Sequence, residues 1–109
     1  MAVETLWQDP ETQRRITRSD RPSEATRSLL GNTVWGSRST KYRILGIEAK
    51  LSRLREPSFF VLSENGRELC VFVLDKCHKR VAGTPCGAYH FVMASTVPDR
   101  QNQGLAGQL

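Results

Sequence analysis

The sequence predicts an α+β fold: an antiparallel three-stranded sheet with N-terminal helices. Three observations carry this. Two β-rich runs, Ser58 to Ser63 and Glu68 to Leu74, flank Asn65-Gly66, the strongest short-range signal for a hairpin. A third largely apolar run follows at Ala88 to Val97. Upstream, Asp9-Pro10 reads as a helix start and Gly31-Asn32 as a helix stop.

In chain order, Asp9-Pro10 reads as an N-cap followed by proline at the first helical position, which predicts a short helix from Pro10 to Arg18. A second helix is expected from Pro22 to Leu30, stopped by Gly31-Asn32. Both carry few apolar residues, chiefly Ile16, Leu29 and Leu30, so neither has a wide face to bury. Gly31 to Thr40 reads as a polar loop. Lys41 to Arg55 fits two templates. Ile44, Ile47, Leu51 and Leu54 follow helical spacing, while Tyr42-Arg43-Ile44-Leu45 reads equally as a strand. Glu56-Pro57 ends the element, because the residue before proline avoids the helical region. In the strand after the hairpin turn, Leu69, Val71 and Val73 alternate with Cys70, Phe72 and Leu74. Both sets are apolar, as expected of a central strand covered on two sides. Asp75 to Gly87 is a basic connection leading to the third strand. Residues 1–40 are thus expected to form a basic, partly helical or disordered segment, and residues 41–109 an α+β domain.

At 109 residues the chain holds one core. No apolar stretch approaches the roughly 20 residues of a membrane span. Met1 to Arg21 lacks a signal-peptide core, and Glu4, Asp9, Glu11 and Asp20 set it apart from acid-poor mitochondrial presequences. Three cysteines, Cys70, Cys77 and Cys86, with no such leader suggest a reduced intracellular setting, cytoplasmic or nuclear. Cys77, His78, Cys86 and His90 lack the paired spacing of a zinc site, so no metal is expected.

The net charge of +5 belongs to the first half: residues 1–55 hold eleven Lys/Arg against six Asp/Glu, and residues 56–109 hold five of each. Arg14, Arg15, Arg18, Arg21 and Arg27 offer cations to an acidic protein or to nucleic acid. Acids are mixed among them and aromatics are not, the pattern of a solvated face more than of a single-strand binder. A small basic interaction module without a cofactor is the alternative functional reading.

The most specific signal is at the C-terminal end. Val97-Pro98-Asp99 follows the third apolar run, and Gln101-Asn102-Gln103-Gly104-Leu105-Ala106 comes next. A strand, a glycine-containing loop and a helix start make an anion site. The first N–H groups of a helix have no internal partner and carry the positive end of its dipole. A glycine, lacking Cβ, lets a phosphate approach. These six residues fit Gln/Arg-x-x-Gly-x-Gly/Ala and resemble the acetyl-CoA signature of the GNAT acetyltransferase superfamily, particularly its small single-domain members. The close resemblance spans about sixteen residues and a looser one starts at Ser58. It implies the first half of a GNAT-like fold, in which three antiparallel strands lead into a cofactor helix. It implies acetyl-CoA as cofactor, with its pyrophosphate over the amides of Gln101, Asn102, Gln103, Gly104, Leu105 and Ala106 and its pantetheine arm along Thr96 and Val97. The activity implied is acetyl transfer to an amine, a transferase reaction requiring a deprotonated amine and a stabilised oxyanion.

No catalytic residue is assigned. Asp99 adjoins the loop, but an exposed aspartate is a poor base near neutrality, and capping the turn suits it better. Tyr89 and His90 begin the third strand, where alternation points them to opposite faces. Where small GNAT-like proteins commonly carry histidine, three residues before the valine of Val-Pro, this chain has Ala94. The sequence stops one turn into the implied helix, so the expectation is an incomplete domain, weakly active or inactive by itself.

Overall fold

The computed structural model describes residues 3–34, 40–76 and 88–101. Its elements are β1 (Val3–Asp9), β2 (Arg14–Ser19), α1 (Glu24–Val34), α2 (Thr40–Ser52), β3 (Pro57–Glu64), β4 (Arg67–Lys76), β5 (Tyr89–Thr96) and a 3₁₀ turn, Pro98–Arg100. The five strands form one antiparallel sheet in the order β1-β2-β3-β4-β5.

This corrects the expected fold class. The sheet has five strands rather than three, and it opens with a hairpin where N-terminal helices were predicted. The predicted helix Pro10 to Arg18 is the turn of that hairpin plus β2. The misreading has a local cause. Asp9 does act as a cap: its carboxylate accepts from the Glu11 N–H at 3.1 Å and the Thr12 hydroxyl at 3.0 Å. An aspartate before proline organises a tight turn with the same bonds that start a helix. Gln13, at φ 52°, then reverses the chain into β2, and Asp9 pairs across with Arg14.

The two helices stand between the hairpin and the last three strands. Ser23 caps α1, its Oγ accepting from the Thr26 N–H at 3.1 Å, a common use of serine. The helix runs through Gly31-Asn32 to Val34 instead of stopping there. Leu29 and Leu30 are buried in the core, and their packing outweighs the roughly 1 kcal/mol that glycine costs a helix. The ambiguity over Lys41 to Arg55 resolves to helix: α2 ends at Ser52, with Ile47 buried and Leu51 and Leu54 against the core. An Arg27–Glu48 ion pair joins the helices.

The Asn65-Gly66 hairpin forms as expected. Both residues take positive φ, 53° and 81°, as a type I′ turn requires. Register places Thr17, Val61, Val71 and Ser95 in one row across β2 to β5, and Ile16, Leu62, Cys70 and Thr96 in the next. Adjacent rows face opposite sides. The first face lies under α1, which packs on β4 and β5. Phe59, Val71 and Val73 belong to it; Leu62 and Cys70 belong to the other, and all five are at most 1% exposed. Strand β4 is therefore central and buried on both faces.

Asp75, 5% exposed, fixes the link from α2 into β3. Its carboxylate accepts the N–H groups of Arg55 at 3.2 Å and Glu56 at 2.9 Å. Among the described residues no helix is long and apolar enough to cross a membrane.

Candidate functional site

Strand β5 lies at an edge of the sheet, paired to β4 alone among the described strands. Its register slips between the Val73–Met93 and Leu74–Phe91 pairs, leaving Val92 as the extra residue of a bulge. Bulges concentrate at sheet edges and beside functional sites, where they bend the strand and re-aim its groups. Past the bulge the pairing is regular, and the Val97 N–H donates to the Leu69 carbonyl at 2.9 Å. Hydrogen-bonding direction alternates along an antiparallel strand. Val97 facing β4 therefore turns the main-chain groups of Ala94 and Thr96 outward.

The strand ends in a turn held at both sides. Arg100 N–H donates to the Val97 carbonyl at 3.0 Å, and Gln101 N–H to that of Pro98 at 3.4 Å. Proline at the first position of this turn supplies the φ it needs. Asp99 takes both terminal nitrogens of Arg67, at 2.8 and 3.0 Å. Arg100 reaches Glu64 at 2.9 Å, and the other oxygen of Glu64 lies 3.5 Å from Arg14. The turn is thus tied to the β3–β4 hairpin by a fork-to-fork arginine pair and a shared carboxylate. Such bidentate pairs fix orientation as well as adding attraction.

These contacts define the roles of the sequence-derived candidates. Val97 is buried, its N–H already bonded to β4. Gln101 uses its side-chain amide on the Thr96 carbonyl at 3.2 Å. Asn102, Gln103, Gly104, Leu105 and Ala106 lie outside the described residues. The hydrogen bonds from Arg67 hold the Asp99 carboxyl below the usual carboxylate range, and the same bonds push the Arg67 guanidinium up. A carboxylate so paired is an anchor rather than a proton acceptor. Tyr89 and His90 are both exposed on β5.

Cys70, fully buried, accepts from the Thr96 hydroxyl at 3.4 Å. Burial pushes its thiol up, so it stays protonated and unreactive near neutral pH. Cys77, His78 and Cys86 lie outside the described residues.

The arginines read as a basic set stand on a strand, not a helix. Arg14 and Arg18 share one face of β2, where Arg14 meets Glu64 and Arg18 lies 3.5 Å from Glu4 and 3.1 Å from the Ser58 hydroxyl. Arg15 is on the opposite face, and Arg21 lies beyond the strand, its carbonyl accepting from the Ser19 hydroxyl at 2.7 Å.

Sequence reasoning missed Glu64, Arg67 and Glu68. Their roles depend on contacts 32 to 45 residues apart along the chain, which no local pattern encodes. The one available hint was their position at the mouth of the Asn65-Gly66 hairpin, whose register determines what each can reach. No family model, curated protein or solved structure matches the chain.

Proposed function

We propose that this chain binds acetyl-CoA along the outer edge of β5 as a GNAT-like N-acetyltransferase domain. The observation that carries the reading is the edge strand itself. It is bulged at Val92 and offers the outward main-chain groups of Ala94 and Thr96. It then enters, through the clamped Val97-Pro98 turn, the sequence Gln101 to Ala106. A pantetheine arm carries amides of its own and adds to a strand edge as a peptide does. Its hydrogen bonds fall to the main chain of Ala94 and to the N–H of Thr96, whose carbonyl accepts from the Gln101 side chain; Val97 contributes shape, since its N–H is spent on β4. The pyrophosphate takes the glycine-containing segment from Gln101 to Ala106, where main-chain N–H groups and the absence of a Cβ at Gly104 suit an anion.

The ties from Arg67 and Glu64 matter to this reading because they fix where the loop starts. Cofactor affinity depends on that start being held before the ligand arrives. No described residue is placed to remove a proton from an amine, so the proposal assigns cofactor binding first and leaves the base unnamed. An interaction module built on Arg14, Arg15, Arg18 and Arg21 draws less support, because Arg14 and Arg18 already hold carboxylates and Arg15 faces the other way.

Titrating CoA into the ¹⁵N-labelled protein tests the assignment. The expected result is saturable amide shifts at Ala94, Thr96 and Gln101 to Ala106, with little or no thiol release when acetyl-CoA and an acceptor amine are supplied together. Absence of shifts there at about 1 mM CoA, a weak-binding limit, would overturn it.

A further inference from the structure

Helix α1 rests on β4 and β5 and leaves the rest of that sheet face open. Over β1, β2 and β3, on the same side, lies a half-open cleft of about 560 Å³, lined by Gln8, Gln13, Arg15, Thr17, Val61 and Ser63 among others. That volume falls within the range of small-molecule pockets.

Register builds the floor of the cleft. Gln8, Arg15, Ser63 and Glu68 form one row across β1 to β4. The next row on the same face carries Thr17 and Val61. Neighbouring strands lie about 4.8 Å apart. Arg15 therefore has a carboxamide at one strand spacing on one side and a hydroxyl at one spacing on the other.

The two charged residues of the row differ in what they offer. Glu68 is closed off: its Oε1 lies 3.1 Å from the Ser23 hydroxyl and 2.9 Å from that of Thr26, and its Oε2 is buried. That carboxylate anchors the start of α1 and is withheld from any guest. Arg15 is exposed. Its neighbours on β2, Arg14 and Arg18, turn to the far face and meet carboxylates there. Arg15 has neither an ion pair nor a side-chain hydrogen bond among the described residues, and the side chains of Gln8, Gln13, Thr17 and Ser63 are likewise uncommitted. A lone arginine on a convex surface is merely solvated. This one stands in a concave site among four neutral polar side chains that the fold does not use.

We propose that this cleft binds a small hydroxylated carboxylate of the sugar-acid type, its carboxylate on Arg15 and its hydroxyls on Gln8, Gln13, Thr17 and Ser63. The guanidinium offers the planar fork that a carboxylate fits. One available cation matches one negative charge; a phosphate dianion would bring a second, unmatched charge to the row that holds Glu68. Carboxamide and hydroxyl side chains both donate and accept, as ligand hydroxyls do, so a polyol body satisfies them in either sense. With Glu68 closed off, no described acid of the lining is free to hold an ammonium, which sets amino acids and amines aside. The site is independent of the coenzyme reading, since it shares no residue with the β5 edge.

The test is a titration of the ¹⁵N-labelled protein with sodium gluconate as the probe, sodium chloride serving as the matched salt control. Gluconate is expected to shift the amides of Gln8, Gln13, Arg15, Thr17 and Ser63 and to leave Ala94 and Thr96 unmoved. Gluconamide, its neutral isostere, and acetate, which lacks the hydroxyls, each bind about tenfold more weakly or not at all, the loss expected when the charge-assisted pair or the polyol contacts are removed. Inorganic phosphate does no better than acetate. Arg15→Gln weakens gluconate by a similar factor, while Arg21→Gln, which removes an exposed arginine outside the cleft, leaves it unchanged. The proposal is overturned if gluconate produces no shifts at about 10 mM, a concentration well above millimolar affinity. It is equally overturned if gluconamide, acetate or phosphate binds as well as gluconate, if Arg15→Gln binds unchanged, or if Arg21→Gln weakens binding as much as Arg15→Gln.

Discussion

Removing the Asp75 carboxylate should destabilise the fold by about 2–4 kcal/mol, and the figure follows from its contacts. Asp75 accepts main-chain N–H groups from Arg55 at 3.2 and 3.3 Å, Glu56 at 2.9 Å and Lys76 at 3.0 Å. Lys76 has a second acceptor, the Glu56 carbonyl at 3.3 Å, so its N–H is not stranded by truncation. The Arg55 and Glu56 N–H groups lose the charged acceptor itself. A hydrogen bond to a charged partner contributes about 1.5–3 kcal/mol net, and two such losses set an upper range of roughly 3–6. Arg55 and Glu56 are exposed residues, so water recovers part of that, giving the lower figure for Asp75→Ala. Asp75→Asn retains Oδ1, the atom nearest the Glu56 N–H, and should lose about half as much. Urea unfolding followed by circular dichroism reads the effect. With a slope of about 1–2 kcal/mol per molar for a protein of this size, the Ala variant's midpoint falls by roughly 2 M. An Asp75→Ala midpoint within experimental error of the parent would show that the α2–β3 link is held by other contacts and that this reasoning fails.

Two further outcomes follow from the titrating groups. Because Arg67 depresses Asp99, any contribution of the pair is present above the unfolded aspartate's pKa of about 3.9 and disappears as pH falls through the lower folded value. Carboxyl-carbon NMR should show Asp99 titrating below the ordinary aspartate range and returning to it in Arg67→Gln; an unchanged midpoint in that variant refutes the pairing. Cys70 has the opposite sign. Burial raises its pKa, so its share of stability is present below the unfolded thiol's value, about 8.5, and is lost as pH rises through the folded one. Iodoacetamide at neutral pH, read by peptide mass, should leave Cys70 unlabelled until denaturant is added, and rapid native labelling would contradict its burial.

The sequence by itself determined the elements whose signals are local. The Asn65-Gly66 turn, both flanking strands, the two-sided burial of β4, the strand beginning near Ala88 and a helix around Leu29 and Leu30 were legible because turn chemistry and two-residue alternation act over a few neighbours. The first hairpin was hidden. In β2, arginines occupy alternate positions that a hydrophobic pattern would need, and their aliphatic stems and charges become useful only beside Glu4, Ser58 and Glu64. Asp9-Pro10 sends one local signal that serves a helix start or a tight turn, and the pairing of β2 with β3 selects the turn. The candidate sites divide the same way. The Val-Pro step and the Gln101 to Ala106 pattern stand in the sequence. The clamp that positions the turn and the outward groups of Ala94 and Thr96 come from strand register, which sets residues tens of positions apart side by side. Register is a property of the assembled sheet, decided by which faces can be buried together, and a one-residue slip would reverse every side chain.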